Sequence, residues 1–365
     1  MLSLADYAAF LQKELFPRLE QEEVGPLSRL DEQFCQVMSL TDLGRFTAPY
    51  VGCGKGRPPR ERIWLIHAFI AKAVYQFPTT VALIEALKTR PTLRRLCGYD
   101  RAGDIPSEPT FSRAFEQFAI GQLPQLIHEH MVRTHVGPSL VGHISRDSTA
   151  IEVAERPVPK AKPAEPALPK KRGRPRRDEH RPPPEPKRLD LQGGRSLEEN
   201  LADLPRQCTI GSKLNSKGHQ ESWIGYKLHI DSNDWGVPVS VILTSASLHD
   251  SQAAIPLAQM SAERVTSLYG LMDSAYDAPQ IHEFVRAQGQ VPIIDPNPRR
   301  GEKIPLAPAE AQRFKERSTV ERVNSRLKER YGARWVRVKG NAKVFCHLMF
   351  GVIALTADIL FARLG

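Results

Sequence analysis

Three carboxylates in this chain, Asp147, Asp273 and Glu321, have the residue type and setting that a metal-dependent phosphoryl-transfer site needs. Asp147 falls in an alternating stretch, HISRDSTAIEV, on the face shared by Thr149, Ile151 and Val153. A charge among inward-facing residues is costly unless it is paired or binds a metal. Asp273 ends a short apolar run, SLYGLM, and in α/β sheets ligands gather beyond the carboxyl ends of strands. Glu321 lies in a charged stretch with helical period, AEAQRFKERSTVERVNSRLKERYG. At roughly 100° per residue, Phe314, Arg317, Glu321 and Lys328 share one face, and Val320, Val323 and Leu327 form an apolar stripe opposite. Taken alone, such a helix face is a solvated row of ion pairs, and a strand-end aspartate is a cap. Three carboxylates converging from separate segments would instead offer hard oxygen ligands suited to Mg²⁺ or Mn²⁺. Two such ions would serve an in-line displacement at phosphorus, with Arg317 and Lys328 expected beside the phosphate and not among the metals.

The elements that must position these residues follow from periodicity. Residues 1–137 read as helical: RERIWLIHAFIAKAVYQF carries helix-spaced apolar residues, Pro78-Thr79-Thr80 marks a stop and restart, and Ser107 with Pro109 opens a further segment, TFSRAFEQFA. Short helices joined by turns suit a DNA-binding or dimerisation module and equally an ordinary helical domain. From His143 the period changes to two. Residues 222–231 and 237–244 alternate around SNDWG and read as a hairpin. A helix near 251–265, the strand before Asp273, a helix near 278–288, the strand VPII, the turn DPNP, the charged helix and a long apolar terminal helix complete the order. That order predicts a mixed α/β domain over residues 138–365.

Composition supplies further bounds. The chain has 365 residues and a formal net charge of +10, which points toward a polyanionic partner without selecting one. Its five cysteines are scattered without a CxxC pair and read as free thiols of a reducing compartment. No secretory signal pattern opens the chain. The apolar stretch VFCHLMFGVIALTADILF approaches membrane-spanning length, but His347 and Asp358 interrupt it, so a buried core helix and a cytoplasmic protein without membrane contact are expected. Between about 156 and 206 the sequence turns proline-rich, basic and poor in apolar residues, which predicts a disordered insert. Within it, Lys171, Arg172, Arg174 and Arg176 surround an RGRP core. That core suits either insertion into a narrow A·T minor groove or unselective phosphate binding. His229 and His249 read as structural or surface histidines, with His249-Asp250 a candidate support for the acids. Tyr276 is a candidate substrate contact, or else packs the helix that follows it.

On these residues the chain resembles the insertion-sequence DDE transposases of bacteria. The similarity runs from about Gly142 through RDSTAIE, GYKLHI, LTSASLHDSQAA, LMDSAYDAPQIHEFV and RSTVERVNSRLKERYG to the terminal helix, and more weakly over SEPTFSRAFEQF. Arg317, Glu321 and Lys328 match a Tyr-x2-Arg-x3-Glu-x6-Lys motif, with Phe314 standing at the tyrosine. The resemblance implies an RNase H-like mixed sheet flanked by helices and preceded by an all-helical region. It also implies Asp147, Asp273 and Glu321 as catalytic metal ligands, two Mg²⁺ or Mn²⁺ ions, double-stranded DNA as substrate and a homodimer on DNA. A nuclease that cuts without joining, and a non-catalytic DNA-binding derivative, share much of this sequence pattern.

Overall fold

A computed structural model of the chain describes residues 26–47, 61–159, 185–214, 218–298, 301–302 and 304–364. The first part is helical: α1 (Arg29–Thr41), α2 (Arg62–Val74), α3 (Thr80–Thr89), α4 (Pro91–Leu96), α5 (Glu108–Ile120) and α6 (Leu123–His135). Local chemistry sets their starts. Ser28 and Asp31 form a capping box on α1, Thr79 accepts from the Ala82 amide to cap α3, and Pro91 and Pro109 occupy first turns, where a missing N–H costs nothing.

The sheet begins with β1 (Val141–Val153). After α7 (Arg188–Gln192) and α8 (Leu197–Asp203) come β2 (Thr209–Leu214), β3 (Gln220–Ser232) and β4 (Pro238–Ser245). Next are α9 (Ser251–Ala262), β5 (Ser267–Met272), α10 (Pro279–Ala287) and β6 (Val291–Ile294). The chain closes with α11 (Pro308–Phe314), α12 (Ser318–Arg330), β7 (Trp335–Val336) and α13 (Asn341–Leu364). β1 lies between β3, antiparallel to it, and β5, parallel to it. β4 extends the antiparallel side beyond β3, and β6 the parallel side beyond β5. This is the expected mixed sheet flanked by helices, with a helical region before it.

Two glycines make that sheet possible. Gly225 has φ +150, and a Cβ there would lie 2.1 Å from the Ile151 carbonyl oxygen of β1, so only glycine lets β3 cross from β2 pairing to β4 pairing. Gly236, at φ +83, closes the hairpin turn, where Asn233 Oδ1 accepts from the Trp235 and Val237 amides. In the same turn the Asp234 carboxylate accepts from the Gly142 and His143 amides at 2.8 and 3.0 Å, which fixes where β1 begins.

The sequence reading needs three corrections. The insert is not disordered to residue 206: from 185 onward it forms α7 and α8, which pack on α9, with Gln192 and Asn200 buried. Residues 160–184, including Lys171, Arg172, Arg174 and Arg176, lie outside the described residues. β2 joins the hairpin as an unexpected strand. The charged stretch is two helices separated by a turn of 3₁₀-helix, Lys315–Arg317, so Phe314 ends α11 and does not continue the α12 face.

No break in packing coincides with residue 137. Ile127, Met131 and Val132 of α6, the inward side of β1 and the length of α13 belong to one buried apolar cluster. Helix α13 is long and apolar enough to span a bilayer, but 78% of its most apolar window is buried inside the protein, as the core-helix reading expects. Its Asp358 pairs with Arg326 and accepts from the Tyr331 hydroxyl, and His347 Nε2 meets the Gly332 carbonyl at 3.1 Å. Cys35, Cys97, Cys208 and Cys346 are buried free thiols, and Cys53 lies outside the described residues.

Candidate active site

Strand pairing brings the two aspartates side by side. Ser145 of β1 stands opposite Leu271 of β5 in parallel register, and two residues further along each strand are Asp147 and Asp273. Glu321 arrives in the first turn of α12, whose Val320, Val323 and Leu327 are buried against the sheet as the apolar stripe predicted. Two contacts hold the segment before α12 over the strands. Ser145 Oγ donates to the Glu316 carbonyl at 3.3 Å, and the Arg313 guanidinium lies 4.3 Å from the Tyr269 ring centroid on β5.

Those anchors deliver Arg317 into the middle of the acids. Its Nη2 lies 3.6 Å from Asp147 Oδ1 and 3.5 Å from Asp273 Oδ2, and its Nη1 lies 2.6 Å from Glu321 Oε1. This overturns the expectation that Arg317 stands apart from the metal ligands: in this structure it is their shared counter-ion. Lys328, two turns after Glu321, has no ion-pair partner among the described residues, and burial and neighbouring Lys213 hold its pKa below the usual lysine range.

Burial pushes the Asp147 carboxyl up to about 6, with Arg317 opposing and Asp273 reinforcing the shift. Asp273 is raised as well, by burial first, against Arg317. Asn324, one turn after Glu321, donates to Asp147 Oδ2 at 3.0 Å, and the Asp273 side chain accepts from the Ala275 amide at 3.0 Å. Each aspartate therefore keeps an oriented carboxylate while its other oxygen faces Arg317. Beneath Asp147, Arg146 points into the core and holds Asp231 of β3 through two hydrogen bonds of 2.7 Å.

Asp250 supports this group from the N-cap of α9. Lys227 Nζ lies 2.8 Å from its Oδ1, and Ser148, next to Asp147, also bonds it. Burial alone would raise this carboxyl, but His229, Lys227 and Ser148 hold it below the usual carboxylate range. Its partner in sequence, His249, turns away to Ser251 Oγ at 2.8 Å. His229 is fully buried against Thr244 Oγ1 at 2.9 Å, a structural histidine as expected. Tyr276 is fully buried in the cluster formed by α9, α10 and β6, so the substrate-contact reading gives way to the packing one. Sequence reasoning missed Asn324 and Lys227. The first carried a signal, since i+3 from Glu321 places it on the same helix face, whereas Lys227 becomes visible only once β3 and β4 are paired.

Among the described residues, no group of three or more His, Cys, Asp or Glu side chains is gathered tightly enough to hold a metal as it stands. The donor set nevertheless fits a hard divalent cation. All three ligands are carboxylates, and two of them already share one positively charged nitrogen, so the Arg317 guanidinium stands where a cation would be held.

One acid in mid-strand, one just past a strand end and a third on a packed helix thus meet on a mixed sheet. The family description "Transposase DDE domain" matches residues 147–357, and "Transposase domain (DUF772)" matches residues 18–117. The chain belongs to the DDE transposase family, whose activity is on DNA. No curated protein and no solved structure matched it.

Proposed function

We propose that this transposase cuts DNA strands at the ends of an insertion sequence and joins the freed 3′-hydroxyls to target DNA, with Asp147, Asp273 and Glu321 as catalytic metal ligands. The observation that carries the reading is the convergence of these three carboxylates, from β1, β5 and α12, on one cation. Two Mg²⁺ or Mn²⁺ ions held there would activate the attacking oxygen and stabilise the leaving one.

The chain's own residues do the rest. Asn324 and the Ala275 amide orient the two aspartates. Arg317, once released by the acids, is placed to hold a phosphate oxygen beside them, and Lys328 to hold one further along the strand. Phe314 offers a ring for a base, and Lys171, Arg172, Arg174 and Arg176 add minor-groove or phosphate contacts whose strength falls with salt. Positioning and charge stabilisation supply the rate, without a covalent protein intermediate. Joining two element ends requires two active sites, hence a homodimer on DNA, acting in the cytoplasm on the nucleoid.

Glu321→Gln tests the reading. The substitution keeps shape and removes one negative ligand, so duplex binding should persist while cleavage of DNA carrying the element's own ends, in Mg²⁺, falls by orders of magnitude. Normal cleavage by the folded variant would refute the assignment. Products cut but never joined to target in the unmodified protein would mark a nuclease without strand transfer.

A further inference from the structure

A groove at the C-terminal end of α12 shares only Lys328 with the proposed chemistry. It holds about 700 Å³ between the α2–α3 corner and the α12–β7 segment, within the about 300–1,000 Å³ of ligand clefts. Lys72, Lys328, Arg334 and Arg337 line it, against two carboxylates, Glu108 and Glu329. None of these four cations has an ion-pair partner among the described residues. Trp335 lines the same groove and is 52% exposed, although a tryptophan on a strand ordinarily packs.

The position of that ring is fixed. Trp335 pairs with Glu152 in the parallel β1–β7 ladder, five residues along β1 from Asp147, or about 17 Å at strand rise. Lateral partners share a face and five is an odd count, so Trp335 lies on the opposite face of β1 from Asp147. Lys328 lines the groove from the last turn of the helix that carries Glu321. The groove also opens on the N-terminus of α3, whose partial positive charge adds to the four cations. Burial lowers Lys72 to about 8, and burial with Lys213 lowers Lys328 against the opposing pull of Glu152 and Asp147.

Two exposed arginines and two half-buried lysines around an exposed aromatic face form the arrangement that holds unpaired nucleic acid. The cations track the backbone, and the ring stacks on any base, since every base has a π face. We propose that this groove binds an unpaired stretch of DNA, with Trp335 stacked on a base and Arg334, Arg337, Lys328 and Lys72 on phosphates. The proposal takes DNA from the transposase reading but needs neither metal nor cleavage.

The test is equilibrium binding of the full chain in EDTA. Its probes are a fluorescein-labelled mixed-sequence duplex and the same duplex with an unpaired overhang on one strand. Trp335→Ala should weaken overhang binding about 10-fold and leave the blunt duplex nearly unchanged. Arg334→Glu with Arg337→Glu should weaken both and reduce the slope of log K against log salt by about two. All three side chains are exposed, so folding should hold, and a melting curve checks it. Equal loss on both probes for Trp335→Ala, or an unchanged salt slope for the double variant, would overturn the groove. Glu321→Gln separates the two readings. If groove variants bind normally while Glu321→Gln is inactive, the groove falls alone. If groove variants lose the overhang while Glu321→Gln cleaves, the metal-ligand assignment falls alone.

Discussion

With Arg317 between them, Asp147, Asp273 and Glu321 meet a positive charge where a bare cluster would meet only its own repulsion. Glu321 is the most exposed of the three, with 55% of its side chain accessible, so its contact with Arg317 is screened and easily exchanged. Asp147, at 18%, is not so screened, and burial already favours its neutral form. A divalent ion entering this group must displace the guanidinium, and the energy of that displacement opposes metal binding. Arg317→Ala should therefore bind Mn²⁺ more tightly than the parent chain in the absence of DNA. About 1.5–3 kcal/mol for a charged hydrogen bond corresponds to roughly 10-fold or more. Titration calorimetry at neutral pH reads this directly. Weaker Mn²⁺ binding by the variant would mean that Arg317 organises the carboxylates instead of competing for them.

At the scale of elements, β1, which carries Asp147, is held to its neighbour β3 from behind by the cross-strand partners Arg146 and Asp231. The pair is buried at 5% and 0% side-chain exposure, and Ser261 Oγ adds a third bond to Asp231 at 2.7 Å. Removing one member of a buried pair strands the other's charge. Asp231→Ala should cost about 3–5 kcal/mol in urea unfolding, and Arg146→Met with Asp231→Leu much less. Equal losses in the single and double variants would show that the strands are held by other contacts. These strands were legible in the sequence because one face is apolar and the other is not, so the period of two survives. α7 and α8 were not legible: each adds only a leucine or two to the apolar clusters, Leu189 and Leu201, and is otherwise fixed by polar side chains, Gln192 on the Gln252 carbonyl and Asn200 on the Gln192 carbonyl. A sharper signal was present in SLEE, since Ser196 and Glu199 form the capping box of α8. The acids themselves were legible as residues and in order, but the place of Arg317 was not. It depends on the 3₁₀ turn and on Ser145 reaching the Glu316 carbonyl, neither of which has a periodic signature.

Across the whole molecule, the helical region and the sheet share one core, and their contact includes a buried histidine. His128 of α6, 1% exposed, meets the Pro238 carbonyl of β4 at 3.0 Å through Nε2. This geometry requires the proton on Nε2, and it leaves Nδ1 buried without a hydrogen-bond partner. Burial, with Arg264 nearby, pushes His128 down to about 3, and burial pushes His229, inside the sheet, down to about 4. In the unfolded chain both would titrate near the ordinary value of about 6.5. Below that pH the unfolded state binds more protons than the folded one, so stability is fully present above about 6.5 and falls as pH drops toward 4. Each histidine contributes up to about 1.4 kcal/mol per pH unit in that window. The melting temperature should therefore fall steadily from about pH 7 to about pH 5. His67 and His347 are lowered by burial as well, to about 4 and about 3, so His128→Gln, which keeps a donor for the Pro238 carbonyl, should reduce the slope by about a quarter. Because the histidine joins the two regions, acid should release the helices and the sheet together, and far-ultraviolet and near-ultraviolet circular dichroism should report one transition. A melting temperature that stays flat between those pH values, or a His128→Gln protein with an unchanged slope, would mean that these rings are protonated in the folded chain.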